Sequence, residues 1–126
     1  MDDRWNLIFS YTRAQAIEDG DLIDVTAQAQ EAGFKIHTVI TDNLFHTYIE
    51  PPAGLEGEGQ SISGRLHDLF ALLRTAILGQ SATDYLELDV LFLMAQARRE
   101  RVRIIAVVGP GDHGEAVMTI MLPGDD

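Results

Sequence analysis

The densest set of proton-transfer groups in this chain is Asp112-His113-Gly114-Glu115, an imidazole flanked by two carboxylates. A histidine so placed can serve as a general base or as half of a metal site. Either role needs a second reactive group, and the sequence names none. The enclosing run VVGPGDHGE superficially offers a phosphate-binding loop. A strand pattern rather than a helix follows it, however, and no lysine is present to meet the phosphates, so a hairpin turn is the simpler assignment. Asp42 and His46 are four residues apart on a helical pattern and could share a metal. His46 lies between Phe45 and Tyr48 and reads more simply as a boundary residue. There is no His-x-x-x-His pair, no serine elbow and no cysteine nucleophile. No catalytic residue, metal or cofactor is assigned, and the chain is expected not to be an enzyme.

Charge offers a second kind of chemistry. The net charge is -11, and between Ala14 and Ala97 only Lys35, Arg65 and Arg74 oppose thirteen acids. Such a surface repels phosphate backbones, which disfavours direct nucleic-acid binding. It suits a basic groove on another protein. Glu18, Asp19, Asp21 and Asp24 form the candidate acidic face. Arg98, Arg99, Arg101 and Arg103 crowd one short segment, a candidate basic hairpin able to hold an anion, an acidic partner or a second copy of the chain. Solubility alone also accounts for an acidic surface.

The elements that must carry these groups can be read from pattern. At 126 residues and 46% hydrophobic, the chain suits a single domain over 1–126 with one core. It has no cysteine and no apolar run of membrane-spanning length. A cytoplasmic protein without a membrane partner is expected. The central element is Ser61 to Gly79, where Ile62, Leu66, Leu69, Phe70, Leu73 and Ile77 share one helical face and Arg65, Asp68, Arg74 and Thr75 the other. Ser61 or Ser63 can cap its start, and Gly79 can end it in the left-handed conformation.

Upstream, WNLIFSY from Trp5 to Tyr11 could form an edge strand or an extended lead-in. Thr12 and Gln15 have the form of a capping box for a short helix ended by Gly20. A second short helix follows Thr26, capped by Asp24 or Thr26 and closed by Gly33. Phe34 to Ile40 reads as a strand, or as a loop packing Phe34 and Ile36 inward. Thr41 is the N-cap of a third helix, which Pro51-Pro52 ends. A mobile connector is expected at about residues 51–60, rich in glycine and proline.

Downstream the period changes to two. Tyr85 to Met94, Val102 to Val108 and Ala116 to Leu122 read as three strands joined by short connections, hence an antiparallel meander. The expected class is α+β: this meander in the C-terminal half packed on the central amphipathic helix, with short helices in the N-terminal half. Ile105, Val107, Val117 and Met121 on the far sheet face would meet the N-terminal helices or a second copy.

The segments YTRAQAIEDG, LIDVTAQAQEAGF, PPAG, GRLHDLFALLRTAI and VVGPGDHGEAVMTIMLPGDD together resemble a family of small uncharacterised bacterial proteins carried on plasmids and integrative elements. The stretch from Ser81 to Arg103 departs most from that pattern. The resemblance implies a bacterial, cytoplasmic, mobile-element setting, in which small acidic proteins often counter host defence. The leading expectation is a non-enzymatic acidic module occupying a basic site on a larger protein or nucleic-acid-handling complex. The alternative is a homo-oligomeric accessory or regulatory protein, and the third is a small enzyme using the Asp112/His113 turn.

Overall fold

The computed structural model describes residues 12–79 and 83–125. The run from Trp5 to Tyr11 lies outside them. Five strands form one mixed sheet: β1 (Leu22–Asp24), β2 (His37–Thr41), β3 (Tyr85–Ala95), β4 (Arg98–Pro110) and β5 (Ala116–Met121). Their spatial order is β1-β2-β5-β4-β3. The helices are α1 (Arg13–Glu18), α2 (Thr26–Glu31), α3 (Asp42–Leu44), which continues as a π-helical turn through Phe45–Ile49, and α4 (Ile62–Leu78).

The α+β class and the antiparallel β3-β4-β5 meander are as the sequence predicts. The sheet is larger than expected. Strand β2 pairs in parallel with β5, His37 opposite Val117 and Ile40 opposite Ile120, and β1 adds antiparallel beyond it. The whole of α3, α4, β3 and β4 forms the crossover that parallel pairing requires. Thr38, Val39, Ile40 and Thr41 are all buried, so β2 is a central strand covered on both faces and shows no alternation. It also starts later than expected. Phe34 and Ile36 pack inward from the preceding loop, and the Phe34 and Phe70 rings lie 5.8 Å apart.

Register puts Ile23, Ile40, Ile120, Ala106 and Leu86 in one row across all five strands. Leu66, Leu69, Phe70 and Leu73 of α4 join this face in one core cluster, together with Ala29 of α2 and Leu44 and Ile49 beyond β2. Ser61 caps α4, its hydroxyl accepting from the Gly64 amide at 3.0 Å. Gly79 ends the helix at φ -85, not in the left-handed region. The apolar stripe is also rotated from the expected one: Ile62 and Ile77 are about two-fifths exposed, whereas Arg65 is only 4% exposed.

Arg65 explains the rotation. Its guanidinium donates to the Tyr48 carbonyl at 2.7 Å, to the Leu93 carbonyl, and to Gln60 Oε1 at 3.1 Å, and it lies over the Phe92 ring. One buried cation thus ties the π-helical turn, the segment before α4 and strand β3 together. In that segment Leu55 is buried, and Glu56–Glu58 form a 3-10 turn. Gln96 and Ala97 connect β3 to β4, Ala97 at φ 56. The sheet's second face carries α1, and Val117 and Met121 are buried there while Ile105 and Val107 are partly so.

Candidate acidic cavity beside α1 and β1

Helix α1 is pinned at its amino end. Thr12 Oγ1 accepts from the Gln15 amide at 3.0 Å and the Gln15 side chain accepts from the Thr12 amide at 3.1 Å, completing the capping box. The Arg13 and Ala14 amides donate to the two oxygens of Asp112, at 2.9 and 3.1 Å. Those two amides, foremost, hold the Asp112 carboxyl below the usual aspartate range. Arg13 Nη2 donates to Thr119 Oγ1 at 2.6 Å across the second sheet face, and burial lowers the Arg13 pKa.

The chain then turns at Gly20, φ 83, and the Asp21 amide returns to the Ala16 carbonyl. Glu18, Asp19 and Asp21 are therefore grouped at the carboxyl end of α1, all exposed. Pairing of β1 with β2 brings a second group to them. The Asp42 amide donates to the Asp21 carbonyl at 3.0 Å, placing the first turn of α3 beside β1. Asp125 folds back against the same corner, its oxygens accepting from Thr41 Oγ1 at 2.8 Å, Asn43 Nδ2 at 2.9 Å and the Leu122 amide at 2.9 Å. Burial pushes the Asp125 carboxyl up, but those three donors outweigh it and the net shift is downward. Asp21, Asp42 and Asp125 line one cavity of about 390 Å³ with Ala16, Leu22 and Thr41, and among the described residues no basic one lines it. A neighbouring cavity of about 480 Å³ shares Ala16, Leu22, Thr41 and Asp125 and extends to Arg13, Thr119 and the Gly109 to Asp112 reversal.

Asp24 is placed elsewhere. Its carboxylate accepts from the Thr26 amide at 2.9 Å and the Thr26 hydroxyl at 2.6 Å, and lies 3.2 Å from His37 Nε2. It opens α2, while Val25 occupies the cap position itself. Burial raises its pKa, and the Thr26 and His37 bonds bring the net shift below the ordinary value.

The turn of Asp112, His113 and Glu115 is organised by backbone. The carboxylate of Asp112 faces α1, and Glu115 Oε2 accepts from the His113 amide at 2.9 Å. Among the described residues no hydrogen bond joins the His113 ring to either carboxylate. A Cβ on Gly111 would stand 1.9 Å from Glu115 Oε1 and 2.7 Å from Cγ2 of the buried Val117, so a side chain here forces Glu115 aside and crowds Val117. His46 pairs with Glu50 at 2.6 Å rather than with Asp42, and no group of three or more metal-ligating side chains gathers among the described residues.

Arg99, Arg101 and Arg103 lie opposite Leu93, Leu91 and Asp89 and share one exposed face of β4, while Arg98 lies opposite Ala95 beyond a bulge. Arg103 is committed locally, donating to Asp89 at 2.7 Å and Glu87 at 3.1 Å.

Three features were missed by sequence reasoning: Asp42 and Asp125 as members of the acidic corner, and Arg65 as a buried cation. Thr41 followed by Asp42 signalled a helix start. No local signal placed that start beside residue 125.

Fold and site together define a small α+β protein with an acidic corner at one sheet edge and no assembled reactive centre among the described residues. The chain belongs to a family of unknown function (DUF6573), whose model matches residues 3–126. No curated protein and no solved structure matches it. Among the described residues no helix is long and apolar enough to cross a membrane.

Proposed function

We propose that this chain is a non-enzymatic, acidic protein-binding module that takes a basic side chain or groove of a larger protein at its α1–β1 corner. The supporting observation is the cavity where Asp21, Asp42 and Asp125 meet over Ala16 and Leu22. A lysine or arginine presents an aliphatic stem and a charged head, and this lining offers an apolar floor and carboxylates in the matching places. Glu18 and Asp19 extend the negative field at the rim, which speeds encounter with a basic partner more than it tightens the final complex.

The finer reading is that the partner is a nucleic-acid-handling complex of a host defence system and that the protein acts in the cytoplasm as part of a mobile element. It rests on the resemblance together with the charge: a groove built for phosphates accepts a carboxylate cluster for the same electrostatic reason. Immobilised chain is compared with the variant Glu18→Gln, Asp19→Asn, Asp21→Asn, Asp42→Asn for capture of nucleic-acid-handling proteins from a bacterial lysate. Capture is expected at low salt and is lost at about 0.5 M salt, where the screening length falls to a few ångströms. The variant is expected to capture nothing, while Glu31→Gln at the end of α2 behaves as wild type. Equal capture by the quadruple variant removes this corner from the function.

The second reading, a homo-oligomer, is favoured by the exposed Arg99, Arg101 and Arg103 stripe on a chain of net charge -11. Salt-sensitive self-association in sedimentation, abolished by Arg99→Glu with Arg101→Glu, is its signature. The third, an enzyme at the Asp112/His113 turn, requires an activity that His113→Ala removes.

A further inference from the structure

The two ends of the sheet differ in what they leave open. Strand β3 is the outer strand at the edge opposite β1, eleven residues long, with neither proline nor lysine to blunt it. The Val108 amide donates to the Asp84 carbonyl at 2.8 Å, which continues the β3–β4 register and fixes its phase. Even-numbered residues of β3 turn their N–H and C=O toward β4, and odd-numbered ones turn theirs outward. Two outward positions are already engaged. Thr83 Oγ1 bonds both the amide and the carbonyl of Tyr85, and Arg65 donates to the Leu93 carbonyl.

Between these stops lie Glu87, Asp89 and Leu91. Among the described residues no hydrogen bond reaches their outward backbone groups, so three N–H and three C=O face away from the sheet over about 14 Å. That window matches an added strand of about five residues. Beside it, between β3 and α4, runs a groove of about 440 Å³ lined by Val90, Leu91, Phe92, Ala71 and Leu72 together with Arg65, Asp68 and Asp89. Leu91 is 58% exposed and Leu72 45%.

We infer that the Glu87–Leu91 edge of β3 is a second docking site, which takes an extended segment of another protein by strand addition, with basic side chains on one face and apolar ones on the other. The alternation of β3 specifies the pattern. Side chains entering on the Val90 and Phe92 side meet the apolar groove, and those on the other side come directly opposite Glu87 and Asp89. These two carboxylates share the single guanidinium of Arg103, so the three groups together keep one net negative charge.

The same charges argue against a second copy as occupant. A two-fold β3–β3 pairing centred on Asp89 sets that carboxylate against itself, and β1, the other edge left open among the described residues, ends in Asp24. Like charges directly opposite each other destabilise strand pairing.

The experiment uses a blocked heptapeptide of alternating lysine and valine, titrated into the full chain while amide hydrogen exchange is followed residue by residue. Binding is expected to slow exchange at Glu87, Asp89 and Leu91, leaving the already paired Leu88 and Val90 amides little changed. The same peptide with every amide methylated, and a glutamate–valine peptide, are each expected to bind at least about tenfold more weakly, since the first loses the ladder and the second the charge match. Leu91→Pro removes one outward N–H without touching the β4 ladder or either carboxylate, and is expected to weaken the lysine–valine peptide by a similar factor. The inference is overturned if the peptide does not bind, if it binds without slowing those three amides, or if they become protected by raising the protein concentration alone. Protection confined to Asp21 and Asp42 would overturn it too while leaving the acidic-corner reading in place.

Discussion

Arg65 carries the sharpest energetic consequence of any single side chain. It has no carboxylate partner among the described residues; its positive charge is met by the carbonyls of Tyr48 and Leu93, the amide oxygen of Gln60 and the face of Phe92. Burial lowers its pKa, and an arginine guanidinium, the most basic of side chains, stays charged in proteins. Truncation leaves two carbonyls unsatisfied and opens space under Tyr48 and Phe92, whose rings stack at 5.4 Å. Arg65→Ala is expected to cost about 2–4 kcal/mol in urea unfolding, against less than about 0.5 for Arg74→Ala, an exposed arginine with one long bond to Ala32. Acid sensitivity has its own residues. Asp24, Asp112 and Asp125 all titrate below the ordinary value of 3.8 in the folded chain. Their contribution is fully present above that value and is lost as pH falls through the lower folded values. The stability difference between wild type and Asp125→Asn is therefore expected to be about 1 kcal/mol at neutral pH, discounted for partial exposure, and to shrink as unfolding is repeated below pH 3.8.

At the scale of elements, what was legible in the sequence had a local cause. The capping box at Thr12 and Gln15, the caps at Thr41 and Ser61 and the two-residue period of β3 each depend on neighbours within a few positions. Strand β2 is different: HTVIT is buried on both faces because β5, arriving some eighty residues later, pairs beside it, and no window of sequence around His37 contains that fact. Arg65 was hidden for a related reason. It lies one turn before Leu69, close enough to the apolar stripe to enter it once Tyr48 and Leu93 supply acceptors. Part of the acidic corner was readable as the Glu18, Asp19 and Asp21 run, and the rest was not, since Asp42 and Asp125 reach it only through tertiary pairing. The β3–β4 connection was legible only in outline. AQARRER is polar enough to turn, but the turn is confined to Gln96 and Ala97, and the following arginines belong to β4. Ala97 holds φ 56, where a Cβ is disfavoured. Ala97→Gly relieves the ~1–2 kcal/mol cost of a Cβ in the left-handed region against ~0.4–1 kcal/mol of added unfolded-chain entropy, and is expected to stabilise the chain by about 0.5–1 kcal/mol, read as a higher urea midpoint with an unchanged slope.

For the whole molecule, the open sheet edges and the net charge of -11 act on the same problem. Among the described residues the five-stranded sheet leaves two edges open, each a template for pairing with other chains, and β3 is the dangerous one because it is long and lacks proline and lysine. Its protection is charge. Glu87 and Asp89 outnumber the one arginine they bind, so a copy approaching in the register centred on Asp89 sets its own carboxylates against them, on top of the general repulsion between two strongly acidic molecules. The acids at the edge therefore do more to keep copies apart than equal numbers of acids placed anywhere else. Glu87→Val with Asp89→Val is expected to convert the chain to a dimer or larger species in sedimentation at micromolar concentration. Glu18→Gln with Asp19→Asn removes the same charge from the far edge and is expected to leave the sedimentation of wild type unchanged. Salt separates the two contributions. Screening weakens general repulsion between molecules within about 10 Å at 0.1 M, whereas carboxylates set directly opposite each other in a strand pair are only partly screened. Wild type should consequently stay unassociated as salt is raised while the valine variant associates at every concentration of salt, and association of wild type in moderate salt would show that net charge alone had been guarding the edge.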